Sequence, residues 1–331
     1  MKVLVTGATG FIGGRIIESL LEVGHDVVAL VRATSNIEGL PKNVEIKVAD
    51  LFDIESLERA VEGVYVVIHC AAYFNFYPSD EELMFKVNVE GTRNLMNACV
   101  GTSVERFIYC SSAETIGAVR FPPATEDTEL RPDFSYGESK ILAERAITEI
   151  TNDTGLAHII LRPTGVMGEG DLYVMFEVVQ EIYNGKVFAL PNDLSAQFMF
   201  THIDDVVSAF VGAITPLVAL NNTFIICPND PMSWEELVTL VTDELGVKPP
   251  RLRVPKIFAK FGMAILSPFK NRMGMTFFWH PKSVDMMYAH RVYSNEKAKR
   301  LLGWTPQVSM KDGFRRAVKW YLDQGHLKRD E

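Results

Sequence analysis

The sequence predicts an α/β protein, a doubly wound parallel sheet with a smaller, partly helical C-terminal lobe. Three observations predict it. Short β-branched runs without polar alternation recur at Lys2–Thr6, Asp26–Val31, Val44–Val48, Tyr65–His69, Arg106–Cys110 and Ala157–Leu161, as expected of strands buried on both faces. Helix-length segments separate several of them, long enough to cross from one parallel strand to the next. A turn with three glycines follows the first run at once.

In chain order, Phe11–Val23 places Phe11, Ile12, Ile16, Leu20 and Val23 at helical spacing, and Asp80–Val100 and Tyr136–Asn152 are the long crossover helices. Beyond about residue 165 the alternation weakens, and prolines from Pro191 to Pro268 divide the chain into shorter pieces. Ile203–Ile214 and Trp234–Leu245 are helical, the latter opened by a Ser233/Glu236 capping box. The 331 residues suffice for one large domain or two coupled ones. The expected division is 1–165 for the sheet and 166–331 for the second lobe. No flexible linker separates them, so some later segments are expected to return to the first domain.

Hydrophobic residues make up 47% of the chain and charged residues 23%, which fits a globular protein rather than a disordered or fibrous one. A net charge of −9 with no concentrated basic patch argues against nucleic acid as a partner. Cys70, Cys99, Cys110 and Cys227 lie far apart in apolar segments, fitting reduced thiols in a cytoplasm better than a disulfide frame. The seven histidines form no metal-binding motif, so no metal is expected. The N-terminus lacks the pattern of a signal peptide. Val254–Phe269 is interrupted by Lys256, Lys260 and Pro268, so it predicts an amphipathic helix packed on its own domain, not a membrane span.

The glycine turn reads Thr6-Gly7-Ala8-Thr9-Gly10-Phe11-Ile12-Gly13. Between a strand and an amphipathic helix, glycines at this spacing allow a tight turn and close approach of a pyrophosphate to the helix N-terminus. This Rossmann-type loop predicts a dinucleotide held by Gly7, Thr9, Gly10, Phe11, Ile12 and Gly13. The tip of the second strand, where an acid would hold the ribose of NAD, reads Ala29-Leu30-Val31-Arg32. Arg32 matches a 2′-phosphate, so NADP is favoured over NAD. Asp50, beside Leu51 after the third strand, is placed to meet the adenine edge.

Tyr136-Gly137-Glu138-Ser139-Lys140 sets a phenol and an ammonium on one helix face. A neighbouring cation and an oxidised nicotinamide both favour phenolate, which would suit Tyr136 to proton exchange with an alcohol or carbonyl. Lys140 could also hold the nicotinamide ribose. The fifth strand ends in Cys110-Ser111-Ser112, at the sheet edge where open α/β folds bind ligands, and a serine there could share the substrate oxygen with Tyr136.

These landmarks, with Asp50-Leu51, His69-Cys70-Ala71-Ala72, Asn88–Thr92, Arg162-Pro163 through Gly168, and His202–Val206, occur in one order. The chain thereby resembles the extended short-chain dehydrogenase/reductase superfamily, the NAD-dependent epimerase/dehydratase group, along nearly its whole length. The resemblance implies Tyr136 as proton donor or acceptor, Lys140 as its partner, and Ser112 rather than Ser111 as the matching hydroxyl. It implies that Ala71, Ala72 and Pro163 line the cofactor channel, that Asn88 is structural, and that the two long helices form a homodimer contact.

Polar residues that sugar-nucleotide members of the family tend to carry are replaced here by Arg162-Pro163-Thr164 and Phe198-Met199-Phe200. Phe74, Phe76, Tyr77, Met167, Tyr173, Met175, Phe198, Phe258, Met263, Met273, Met275, Phe277 and Phe278, with Thr164 near them, suggest a greasy substrate pocket, or else simply the packing of the second lobe. The Val31-Arg32 tip and these residues look like the dihydroflavonol-reductase and 3β-hydroxysteroid-dehydrogenase branch, which acts on ketones or secondary alcohols of bulky apolar molecules. Two alternatives stay open. Glu114 matches a glutamate of some nucleotide-sugar 4,6-dehydratases, and an epimerase or dehydratase would use the same Tyr, Lys and Ser. A non-catalytic dinucleotide-binding scaffold would need neither Tyr136 nor Lys140. His202 is a further candidate for the substrate wall.

Overall fold

A computed structural model of the chain describes residues 1–76, 80–266 and 280–328. Tyr77, Met273, Met275, Phe277 and Phe278 lie outside the described residues. Six strands follow the sequence runs: β1 (Lys2–Thr6), β2 (Asp26–Val31), β3 (Glu45–Val48), β4 (Val66–His69), β5 (Arg106–Cys110) and β6 (Ala157–Pro163). A strand from the second half, Asn222–Ile226, pairs with β6 to complete a seven-stranded sheet. The order is Asn222–Ile226, β6, β5, β4, β1, β2, β3, and every pairing is parallel.

Strand order reverses between β1 and β4, which opens a crevice at their C-terminal ends. Helices α1 (Phe11–Glu22), α2 (Ile54–Val61), α3 (Glu81–Phe85), α4 (Gly91–Cys99) and α5 (Ser135–Thr154) link the strands. The crossover expected as one helix over Asp80–Val100 is interrupted by a π-helical turn at Lys86–Glu90 between α3 and α4. Such a turn widens the hydrogen-bond ladder by one residue, and here it carries the buried Asn88.

Apolar cores fill both faces of the sheet. Val3, Val5, Ile16, Ile17 and Leu20 pack with Phe210 on one side. Leu4, Val28, Leu57, Leu95, Phe107 and Ile147 pack on the other. Alternate residues of one strand, Val3 and Leu4, therefore serve opposite cores. The Ile203–Gly212 helix, from the second half of the sequence, supplies Val206 and Phe210 to the first core. A third core gathers Met167, Met175, Phe198, Leu237 and Phe314 and also takes Ala113, Ile116 and Ala124 from the first half of the sequence. Its Trp234–Leu245 helix begins with the expected Ser233/Glu236 capping box and ends at Gly246, which has positive φ.

Candidate active site

The glycine turn sits where β1 and β4 diverge. Gly7 has φ +66°, and a Cβ there would lie 2.8 Å from the Ala71 nitrogen. A Cβ on Gly13 would come within 2.2 Å of the Gly7 carbonyl oxygen, so only glycine lets α1 pack this close to the turn. Gly10 caps α1 with no side-chain hydrogen bond, and the first turn carries no acid. The helix start thus presents free N–H groups and the positive end of its dipole beside the exposed Thr9 and half-buried Phe11 and Ile12. The cradle fits a dinucleotide pyrophosphate.

Beneath it, a hydrogen-bond chain ties the strand ends together. Thr92 Oγ1 donates to the Asn88 carbonyl, and His69 Nε2 lies 3.0 Å from Thr92 Oγ1. That single hydroxyl proton is spent on the carbonyl, so Nε2 must donate and Nδ1 must accept from Thr6 Oγ1 at 2.6 Å. Thr6 in turn accepts from the Ala71 N–H. Burial, then Lys140, lowers the His69 pKa to about 3, which keeps the ring neutral as this network requires. Ala71 is half-buried, Ala72 is exposed, and Pro163 ends β6 at the same edge of the sheet.

Arg32 is exposed just past β2 and makes no ion pair among the described residues. Asp50 is exposed after β3, with Oδ1 accepting from the Phe52 N–H. Leu51 packs where a Cβ on Gly91 would meet its Cδ1 at 2.9 Å, and its carbonyl accepts from Asn94.

The residues expected to react converge from β5 and α5. Lys140 is 2% exposed, and its Nζ donates to the Cys110 carbonyl at 2.8 Å and to Tyr109 Oη at 3.2 Å. Nζ also lies 5.7 Å from the centre of the Tyr136 ring. Burial lowers the Lys140 pKa. The Tyr136 hydroxyl makes no hydrogen bond among the described residues, and burial raises its pKa rather than lowering it. The expected shift towards phenolate does not arise from the protein groups alone, among which burial is the largest cause, ahead of Cys110 and Glu114.

The two serines after β5 part company. Ser111 Oγ is buried and donates at 2.5 Å to Glu144, which also holds Arg162 through two hydrogen bonds. Ser112 caps a single helical turn, its Oγ accepting from the Glu114 N–H. The Ser112 hydroxyl proton is thus available. Asn88 joins the loop after β4 to α5, exchanging hydrogen bonds with the Tyr73 backbone and donating to Ser139 Oγ.

The apolar residues expected to line the substrate space divide. Phe74 stands edge-on to Tyr136, ring centres 4.9 Å apart, and Phe76 stacks between Phe74 and Phe134. Met167, in contrast, is wholly buried where a Cβ on Gly313 would meet its Cε, and Met175 and Phe198 belong to the same core. Thr164 is buried, its hydroxyl paired with that of Thr201 at 2.7 Å. His202 is buried against Glu169. Met167, Met175 and Phe198 therefore serve a core, and the Thr164 and His202 side chains are held by Thr201 and Glu169.

Glu114 is engaged by a residue that sequence reasoning missed. Arg291 donates to both its carboxylate oxygens and to Asp133. Tyr109, under Lys140, was also missed; as the fourth residue of a buried strand it reads as core.

Fold and site together define a Rossmann-type enzyme that uses a nicotinamide dinucleotide. The chain belongs to the NAD dependent epimerase/dehydratase family, whose model matches residues 3–227. It is an NAD-dependent oxidoreductase of the extended short-chain dehydrogenase/reductase type. It is 27% identical to a 3 beta-hydroxysteroid dehydrogenase/Delta 5-->4-isomerase of Mycobacterium tuberculosis, over 97% of this chain and 90% of that protein. It is 28% identical to a UDP-glucose 4-epimerase of Vibrio cholerae, over 97% of this chain and 95% of that protein. The crystal structure of gox2253 superposes with a TM-score of 0.83 at 29% identity, covering 98% of this chain and 99% of that one.

Proposed function

We propose that the protein is an NADP-preferring dehydrogenase or reductase acting on a ketone or secondary alcohol of a bulky, largely apolar substrate. The observation that carries this reading is the pairing of Tyr136 with Phe74: an unpartnered phenol whose neighbour is a half-exposed aromatic face. Apolar walls favour a substrate with few polar groups to desolvate. The 3β-hydroxysteroid dehydrogenase relative supports the same class.

Gly7, Thr9, Gly10, Phe11, Ile12 and Gly13 would hold the pyrophosphate. Arg32 would take the 2′-phosphate, with Asp50 and Leu51 at the adenine. Ala71, Ala72 and Pro163 would line the channel towards the nicotinamide, and Lys140 would hold its ribose. The bound nicotinamide supplies or accepts hydride. Tyr136 gives a proton to the substrate oxygen in reduction and takes one in oxidation, and Ser112 donates a hydrogen bond to that oxygen. Lys140 stabilises the phenolate when the phenol is deprotonated.

The epimerase reading rests on the Vibrio cholerae relative and uses the same Tyr136, Lys140 and Ser112. The dehydratase variant is weakened because both oxygens of Glu114 accept from Arg291. We further propose a homodimer through α4 and α5 and, from four free cysteines, a reducing cytoplasmic setting.

The test is a panel of lipophilic ketones with NADPH. Stoichiometric loss of NADPH absorbance is expected, and Tyr136→Phe should lower kcat by about 10²–10⁴-fold while leaving cofactor affinity within a few-fold. Conversion of a nucleotide sugar without net cofactor consumption would replace this reading with the epimerase one. Undiminished turnover by Tyr136→Phe would remove the phenol from the chemistry.

A further inference from the structure

Lys140 donates to two uncharged acceptors from consecutive residues of β5, the Cys110 carbonyl and Tyr109 Oη. An ammonium has three protons, so one remains for a group in the crevice. A neutral amine has two, and both would be spent on these acceptors. The titratable groups facing Nζ are His69 and Cys70 from the end of β4, Cys110 from β5, and Tyr136 and Glu144 from α5. Burial keeps His69 neutral, and Glu144 already accepts from Ser111 and Arg162. With the one carboxylate shared in this way, oriented dipoles carry much of the burden of keeping a buried cation charged.

Tyr109 is fully buried, with its ring centre 5.7 Å from that of His69 and 4.7 Å from Lys140 Nζ. Its hydroxyl also hydrogen-bonds the Thr92 side chain. The Thr92 proton is spent on the Asn88 carbonyl, so at this contact Tyr109 must donate and Thr92 must accept. The phenol proton is thereby turned towards Thr92, which leaves the oxygen lone pairs for Lys140. Were it turned the other way, two donors would face each other. A directed chain results, from Lys140 through Tyr109 and Thr92 to the Asn88 carbonyl in the π-turn.

We propose that Tyr109 is a positioning residue: its hydroxyl, oriented by Thr92, holds Lys140 as an ammonium with one proton left for the crevice beside Tyr136. This role presupposes that Lys140 serves the nicotinamide ribose and Tyr136, as proposed above. Tyr109 acts only through the lysine, since its own phenol is buried and held neutral, burial being the largest cause of its raised pKa. The face of its ring adds to the same end by attracting the cation.

The full chain, isotope-labelled at the lysine ε-carbons, would be titrated with pH by NMR, Lys140 being the resonance absent from Lys140→Arg. Tyr109→Phe keeps the ring and removes only the oxygen, so Lys140 should lose its proton about one pH unit lower than in the wild type. Thr92→Val should move this midpoint in the same direction, and Thr92→Ser, which restores the acceptor, should return it to the wild-type value. NADPH affinity, followed by fluorescence, should fall as each protein passes its own midpoint. An unmoved Lys140 midpoint in Tyr109→Phe overturns the proposal, as does a shift in Thr92→Ser equal to that in Thr92→Val. Undiminished NADPH affinity and ketone turnover in Lys140→Met would instead overturn the function assigned to Lys140 and reduce the Tyr109 contact to a structural one. The NMR midpoint, which needs neither cofactor nor substrate, tells the two failures apart.

Discussion

Arg291 grips Glu114 with one terminal nitrogen, Nη1 lying 2.9 and 3.0 Å from the two carboxylate oxygens, while Nη2 reaches Asp133. The partners are 177 residues apart in sequence. Their pairing ties the second lobe to the loop that carries Ser112, and the Arg291 backbone N–H is anchored in turn to the Gln197 carbonyl. Arg291 is 7% exposed. Burial opposes its charge, but Glu114, Tyr293 and Asp133 outweigh that and raise its pKa.

This arrangement separates a structural glutamate from a catalytic base. Glu114→Gln is expected to keep ketone reduction within about tenfold, whereas loss of a general base costs about 10²-fold or more. Arg291→Met, which strands two carboxylates, should cost roughly 3 kcal/mol in denaturant unfolding. A Glu114→Gln protein that folds normally but is inactive would restore the dehydratase reading.

Acid should weaken the fold. Burial lowers His69 to about 3 and His158 to about 4. The unfolded chain protonates both near 6.5, so it binds more protons than the native state as pH falls below that value, and stability drops. Their contribution is complete above about pH 6.5. Asp171, raised to about 6 by burial, acts in the opposite sense between about pH 6 and 4, since there the native state holds the extra proton. His202, also lowered by burial, adds to the loss below about pH 6.5, so the histidines outweigh Asp171 and stability falls with acid. Denaturant melts at pH 6.0, 5.5 and 5.0 measure this slope, and His158→Gln should make it shallower. A wild-type stability that rises with acid over this window would contradict the assignment.

Arg32 should govern cofactor choice without affecting folding. Its side chain is exposed and free of ion pairs among the described residues, so Arg32→Ala is expected to raise the KM for NADPH about tenfold or more through loss of a charge-assisted contact. The KM for NADH should stay within about threefold. Equal effects on the two cofactors would mean that Arg32 does not meet the 2′-phosphate.

Much of the cofactor half was legible. Buried parallel strands read as unbroken apolar runs, and the glycine turn joins the first strand to the first helix as its spacing predicted. Trp234–Leu245 has the predicted bounds because a capping box is a local device. The π-turn around Asn88 carries no local signature, since its extra residue is held by Tyr73 and Ser139 from other elements. Met167 and Phe74 are both large apolar residues, yet one is core and the other borders Tyr136. Side-chain type gives no means of telling them apart.

By itself, the sequence determined six strands of the sheet, the glycine turn and the Tyr136–Lys140 face, because backbone periodicity and glycine conformation act between near neighbours. Only tertiary structure decided that Ser111 serves Glu144 while Ser112 keeps its proton, that Arg291 occupies Glu114, and that Asn222–Ile226 completes the sheet. Those outcomes depend on groups tens to hundreds of residues apart, and which of them meet is set by the path of the whole chain.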